Sequence, residues 1–236
     1  MNMNELSQMN TELGNRFYVH LSAINSHVTP KEAQALWQDI AVRYNEEQRA
    51  YHTLHHIQQL FGQFEQIKRH LNEPNIIALA MYYHDVIYES TRSDNELKSA
   101  EFAVEVLGHY LDADQCQHIY ALIMMTAIHE IDEFDEWSDI AKEKNSYSDA
   151  AYLLDMDLSI LGASWLMYEK YAKAVRQEYL HVPMADYCAG RMAVLKGLLA
   201  HPKLYLTEYY YDQLEAQARD NIKREINSLL HSQLNE

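Results

Sequence analysis

His52 and His56 stand four residues apart in RAYHTLHHIQQLF, and His84 is followed directly by Asp85 at the end of the apolar run IIALAMYYHD. Two aspartates, Asp155 and Asp157, interrupt a second apolar stretch, LLDMDLSILG. Imidazoles and carboxylates are costly to bury without a partner. A divalent cation partners both, and neutral imidazole with carboxylate suits Mn, Fe, Ni or Zn better than a soft thiolate set would. If residues 49–61 are helical, His52 and His56 share a face one turn apart, as in helical metal motifs that aim two rings at one point, while His55 points elsewhere. Neighbours on a regular helix point about 100° apart, but at a helix end His84 and Asp85 can reach one ion. Asp157 falls on the inward stripe with Leu154, Leu158 and Leu161, and Asp155 lies about 200° around from it. Each piece also has a plainer reading: histidines at a polar helix start, a capping aspartate beside a structural histidine, an aspartate held by an arginine or a backbone N–H.

These residues need elements to position them, and helical periodicity dominates. PKEAQALWQDIAVRYNE places Pro30 in a first turn and Ala33, Leu36, Trp37 and Ile40 on one face. HHIQQLFGQFEQI carries Ile57, Leu60, Phe61, Phe64 and Ile67 at the same spacing. NEPNIIALAMYYHD is apolar nearly all round and predicts a central buried helix that delivers the His-Asp pair at its end. DNELKSAEFAVEVLGHYL follows with Asp94 as an expected N-cap, then DADQCQHIYALIMMTAIHE. Residues 130–149 are acidic and polar with few apolar anchors, which predicts a long loop with at most one helical turn, a candidate lid. Helices resume with DAAYLLDMDLSIL, SWLMYEKYAKAVRQEY, MADYCAGRMAVLKGLLA and a last segment capped by Thr207. No strand, repeat or low-complexity tract is evident, so the expected fold is all-α, one domain over residues 1–236.

Composition narrows the function. Six glycines and four prolines leave long runs free of helix breakers. A net charge of −16 with no Lys/Arg stripe argues against nucleic acid as the main ligand. Cys116 and Cys188 form no zinc spacing and are expected as buried thiols. The N-terminus lacks the pattern of a secretory signal, and no run is apolar and long enough to span a bilayer, so a cytoplasmic protein is expected. A tyrosine-rich helical surface is compatible with a homodimer. The remaining histidines, apart from His129, sit alone among unrelated residues and are expected on the surface or in structural roles.

In order, the pieces read His, His-Asp, Asp, all on helices. This pattern resembles the HD superfamily of metal-dependent phosphohydrolases, with its H…HD…D signature met by His56, His84-Asp85 and Asp157. LLDMDLSIL resembles the family's final aspartate segment, and Asp155 is the alternative register. YHTLHHI, HDVIYES, DNELKSAE and LLDMDLSILG together resemble a little-characterised bacterial group described as predicted metal-dependent HD phosphohydrolases, over roughly residues 30–230. The segment Y-H-x-x-x-H also resembles the start of the cyclic nucleotide phosphodiesterase site, which implies His52 as proton donor and His56 as ligand.

The resemblance implies an HD-like helical bundle holding one or two divalent ions (Mn, Fe, Ni, Zn or Mg) through His56, His84, Asp85 and Asp157. Asp85 and Glu96 join His52 as catalytic candidates, Glu96 by holding a water or accepting a proton. Its plainer role is a first-turn glutamate that suits the helix dipole. His129, and Asp155 with it, are candidates for a second metal or for substrate. Arg176 is the first candidate for a phosphate clamp, since a guanidinium meets phosphate bidentately, ahead of Arg191 and Arg219. The expected activity is hydrolysis of a phosphate ester or anhydride in a small phosphorylated substrate, a nucleotide first. Two alternatives stand beside it: a non-catalytic metal- or nucleotide-binding regulatory module, and a di-iron oxygenase on the same fold, for which His129 would be an extra ligand.

Overall fold

The computed structural model describes residues 3–127 and 146–233. Among them are ten α-helices, one 3-10 helix and no strand, so the chain is all-α. It divides into two compact units, Met1–Leu153 and Leu154–Glu236. No helix among the described residues is long and apolar enough to cross a membrane.

In the first unit, α1 (Met3–Ile24) precedes every helix expected from periodicity. Its stripe of Met9, Leu13, Phe17 and Leu21 is buried. Gly14 lies on the same face, and a Cβ there would come within 2.5 Å of Trp37 Cδ1, so only glycine admits the indole of α2. The second helix, α2 (Pro30–Tyr44), has Pro30 in its first turn behind a Thr29/Glu32 capping box, which satisfies two backbone donors reciprocally. Next come α3 (Leu54–Ile67) and α4 (Pro74–Tyr83). Every side chain of α4 from Ile76 to Tyr83 is buried, the central helix its all-round apolarity predicts. Helices α1, α3, α5 (Asn95–Leu107) and α6 (Ala113–Thr126) all pack on it. Asp94 does not cap α5: its carboxylate instead takes both forks of Arg92, at 2.9 and 2.8 Å. Cys116 and Cys188 are buried free thiols.

The helix α7 (Ser146–Asp157) runs across the division between the units. It takes in residues 146–149, the end of the segment expected as an acidic loop. The rest of that segment, with His129, lies outside the described residues. The α-helix ends at Asp157, and Leu158–Gly162 form the 3-10 helix rather than continuing it. The second unit then comprises α8 (Trp165–Glu178), α9 (Met184–Ala200) and α10 (Glu208–Gln233). Gly162 permits the 3-10 helix to lie on α10, since a Cβ there would meet Leu214 Cβ at 2.6 Å. Thr207 caps α10 as expected, accepting from Tyr210 N at 3.3 Å.

Candidate metal centre

The apolar helix α4 has no place for a polar side chain until its last turn, and there His84 serves as its C-cap residue. His84 is 2% exposed. Its Nδ1 lies 2.8 Å from Met81 O. A carbonyl only accepts, so Nδ1 carries a proton, and Nε2 is the ring atom that faces His56 and Asp85. Buried His56, on the first turn of α3, brings its own Nε2 to 3.2 Å from that atom. Asp85, past the end of α4, places Oδ2 at 2.9 Å from His84 Nε2 and 3.8 Å from His56 Nε2. Three donors thus converge inside the first unit.

That geometry suits either a shared proton or a shared cation. Metal–nitrogen bonds of about 2.1 Å put neighbouring ligand atoms about 3.0 Å apart in octahedral and about 3.4 Å apart in tetrahedral coordination. The 3.2 and 2.9 Å separations fit adjacent ligands on one ion, and the 3.8 Å from His56 to Asp85 is longer than either ideal. Two imidazoles and a carboxylate at such separations can hold a divalent metal ion.

His52 reaches the cluster by another route than the sequence suggests. Thr53 caps α3, accepting from His55 N at 3.3 Å, so His52 lies outside the helix and shares no helical face with His56. It is instead fixed by aromatic contacts. Its ring stacks on Tyr88 with centroids 3.9 Å apart and stands 6.1 Å from the His56 ring. Tyr51 touches both histidine rings, each at 4.9 Å.

The sequence reading missed Arg49, whose side chain is inaccessible to solvent. Its guanidinium donates to the carbonyls of His52, Asp85 and Val86, and to Glu46. Its place in RAYHTLHH, three residues before His52, is the only signal the sequence offers.

Glu96 is half-buried in the first turn of α5, where its charge suits the helix N-terminus. Asp157 is half-buried at the end of α7. Asp155 is committed to structure: its oxygens accept from Leu206 N, Thr207 N and Thr207 Oγ1 at 2.8, 2.8 and 2.6 Å, closing the start of α10. Arg176 is likewise engaged, donating to the carbonyls of Tyr179 and Val182 beyond the end of α8 and lying over the Tyr187 ring. A phosphate clamp and the last carbonyls of a helix call for the same fork of donors, and here the carbonyls have it. Arg191 pairs with Glu225 and Tyr171, and Arg219 with Glu215 and three backbone carbonyls.

Burial pushes the Asp155 carboxyl up from 3.8 to about 6, against the donors that favour its charged form. The folded protein therefore holds this proton more tightly than the unfolded chain. Its contribution favours folding at low pH and is lost as the pH rises through that window. We predict that raising the pH across the window lowers the unfolding free energy of the parent more than that of Asp155→Asn, measured by urea denaturation. Equal losses would show that the carboxyl is not shifted.

Compared with known proteins, the chain matches no family model and no curated protein.

Proposed function

We propose that the chain is a metal-dependent phosphohydrolase of the HD type, cleaving a phosphate ester or anhydride in a small phosphorylated molecule. The observation that carries the reading is the convergence of His56 Nε2, His84 Nε2 and Asp85 Oδ2, with the His84 tautomer set by Met81 O. Asp157 is proposed as the fourth ligand, because it completes the H…HD…D order.

A divalent ion held there would supply an acidified water and neutralise charge on the phosphoryl oxygens. The chain's own residues do the rest. His56 and His84 aim their Nε2 atoms at one point. Asp85 adds the negative charge that a dication needs. His52, stacked on Tyr88 beside His56, is oriented to give a proton to the departing oxygen. The half-buried ring of His52 can meet substrate while the buried His56 cannot.

Elemental analysis of the purified protein, followed by a phosphate-release screen over nucleotides and phosphomonoesters with Mn²⁺, Fe²⁺ and Ni²⁺, tests the proposal. About one or more equivalents of metal and metal-dependent release are expected. A protein that takes up none of the three ions would sink it. The acid role has its own test. We predict that His52→Ala retains parental metal content while turnover drops roughly 100- to 10,000-fold, the range of general acid catalysis. Loss of metal in that variant would make His52 a ligand instead.

A further inference from the structure

An arginine cannot shed its charge in a protein, so a guanidinium is buried only where its donors are filled. Around Arg49 they are filled almost wholly by the candidate metal centre. Nη1 donates to His52 O at 3.2 Å and to Asp85 O at 2.6 Å, and Nη2 to Val86 O at 3.0 Å. Nε meets Glu46 Oε2 at 3.2 Å. The rings beside the guanidinium are Tyr44 and Tyr88, at 5.0 and 5.6 Å. These too touch the site, since Tyr44 Oη accepts from Asp85 N at 3.3 Å and Tyr88 stacks on His52.

Two segments far apart in sequence therefore meet on one side chain. The first, residues 50–53, carries His52 and runs as bends between α2 and α3. The second is the turn after α4, where the carbonyls of Asp85 and Val86 lie past the helix end and lack helical donors of their own. We infer that Arg49 is a positioning residue: it locks the His52 segment to the His84–Asp85 turn, fixing the distance between proton donor and metal ligands. The inference rests on the phosphohydrolase reading for what those groups do, but its geometry stands alone. Nη1 bridges the two segments, and the planar fork braces that bridge through Nη2 on Val86 O and Nε on Glu46. A lysine ammonium, a point charge on a flexible stem, cannot make these four contacts together and would leave the bridge unbraced.

The test compares Arg49→Lys with the parent in the full chain, by two readouts. The first is the imidazole ¹⁵N shifts of His52 and His84 in metal-free protein at fixed pH. The second is the Mn²⁺ dissociation constant by calorimetry. Arg49→Lys is expected to move the shifts of both rings and to weaken Mn²⁺ binding about 10- to 100-fold, the usual effect of losing support behind metal ligands. Arg43→Lys serves as control for loss of an arginine from an aromatic face, since Arg43 lies over Phe102 and pairs with Asp39. It should leave both readouts unchanged. If Arg49→Lys does not fold, Arg49→Gln keeps a planar donor of smaller reach and takes its place. Unchanged shifts and unchanged Mn²⁺ affinity in a folded Arg49 variant would overturn the inference. A parent that binds no Mn²⁺, Fe²⁺ or Ni²⁺ would defeat the phosphohydrolase reading instead, and the metal-free imidazole shifts would still decide the role of Arg49.

Discussion

On the proposed reading, replacing His84 with alanine is expected to abolish retention of a divalent ion and to reduce phosphate release to background. The ring of His84 is oriented in advance, because Met81 O holds its other nitrogen at 2.8 Å. Four-ligand structural zinc sites bind with roughly 10–16 kcal/mol. One ligand's share is thus about 2.5–4 kcal/mol, or roughly 70- to 1,000-fold in affinity. Turnover should fall further than occupancy, since hydrolysis on the proposed reading would need the ligands and His52 held in register as well as the ion present. The fold should largely survive, as the change removes one ring and leaves Met81 O without that donor. His20→Ala is the comparison: its Nδ1 engages Asn75 Oδ1 at 2.9 Å, and the variant should bind metal as the parent does. A titration of metal-free parent and variant with Mn²⁺ decides it. Parental affinity in His84→Ala would mean that the cluster is not the metal site.

The His84–Asp85 pair was legible in the sequence because it breaks a pattern. Ten residues of nearly unrelieved apolarity predict a buried helix, and two polar residues at its end then ask for a partner. The same logic finds His56, one turn into a periodic apolar stripe. It fails for His52, because a helix boundary intervenes. Thr53 is a better cap than His52 is a first-turn residue, and periodicity does not register a cap one position away. Between Asp155 and Asp157 the apolar pattern alone leaves the register open. Both interrupt one apolar run, and the oxygens of Asp155 are claimed by Leu206 and Thr207, some fifty residues onward. α1 went unassigned although Met9, Leu13, Phe17 and Leu21 recur every four residues, a stripe as regular as that of α3. Its polar opposite face and the absence of an opening proline hid it.

What remained illegible shares one physical cause. Arg49, Arg176 and Asp149 bond to main-chain atoms, and a backbone carbonyl or N–H carries no residue identity to pair with by eye. Side-chain partners leave complementary letters in a sequence. Main-chain partners leave none, so a buried charge held by the backbone looks like a surface charge until the fold is known.

Asp149 gives that point its largest stability consequence. The N-terminus of α4 lacks a cap of its own, since Glu73 at the N-cap position offers no side-chain bond. Asp149 of α7, fully buried, supplies what is missing. Its oxygens accept from Asn72 N at 2.9 and 3.0 Å, from Asn72 Nδ2 at 2.9 Å and from Glu73 N at 2.8 Å. A negative charge there also complements the positive end of α4. Alanine at 149 would leave two backbone N–H groups without acceptors, each costing about 1–3 kcal/mol. We predict a loss of about 2–4 kcal/mol for Asp149→Ala by urea unfolding. Asp94→Ala, which breaks only the solvent-exposed pair with Arg92, should lose about 0–1 kcal/mol. Similar losses in the two would contradict the assignment of Asp149 as the cap of α4. The effect should also reach the far end of that helix. Because α4 carries His84 at its C-terminus, loosening its start removes a constraint on the imidazole, and metal affinity should weaken in Asp149→Ala while remaining parental in Asp94→Ala.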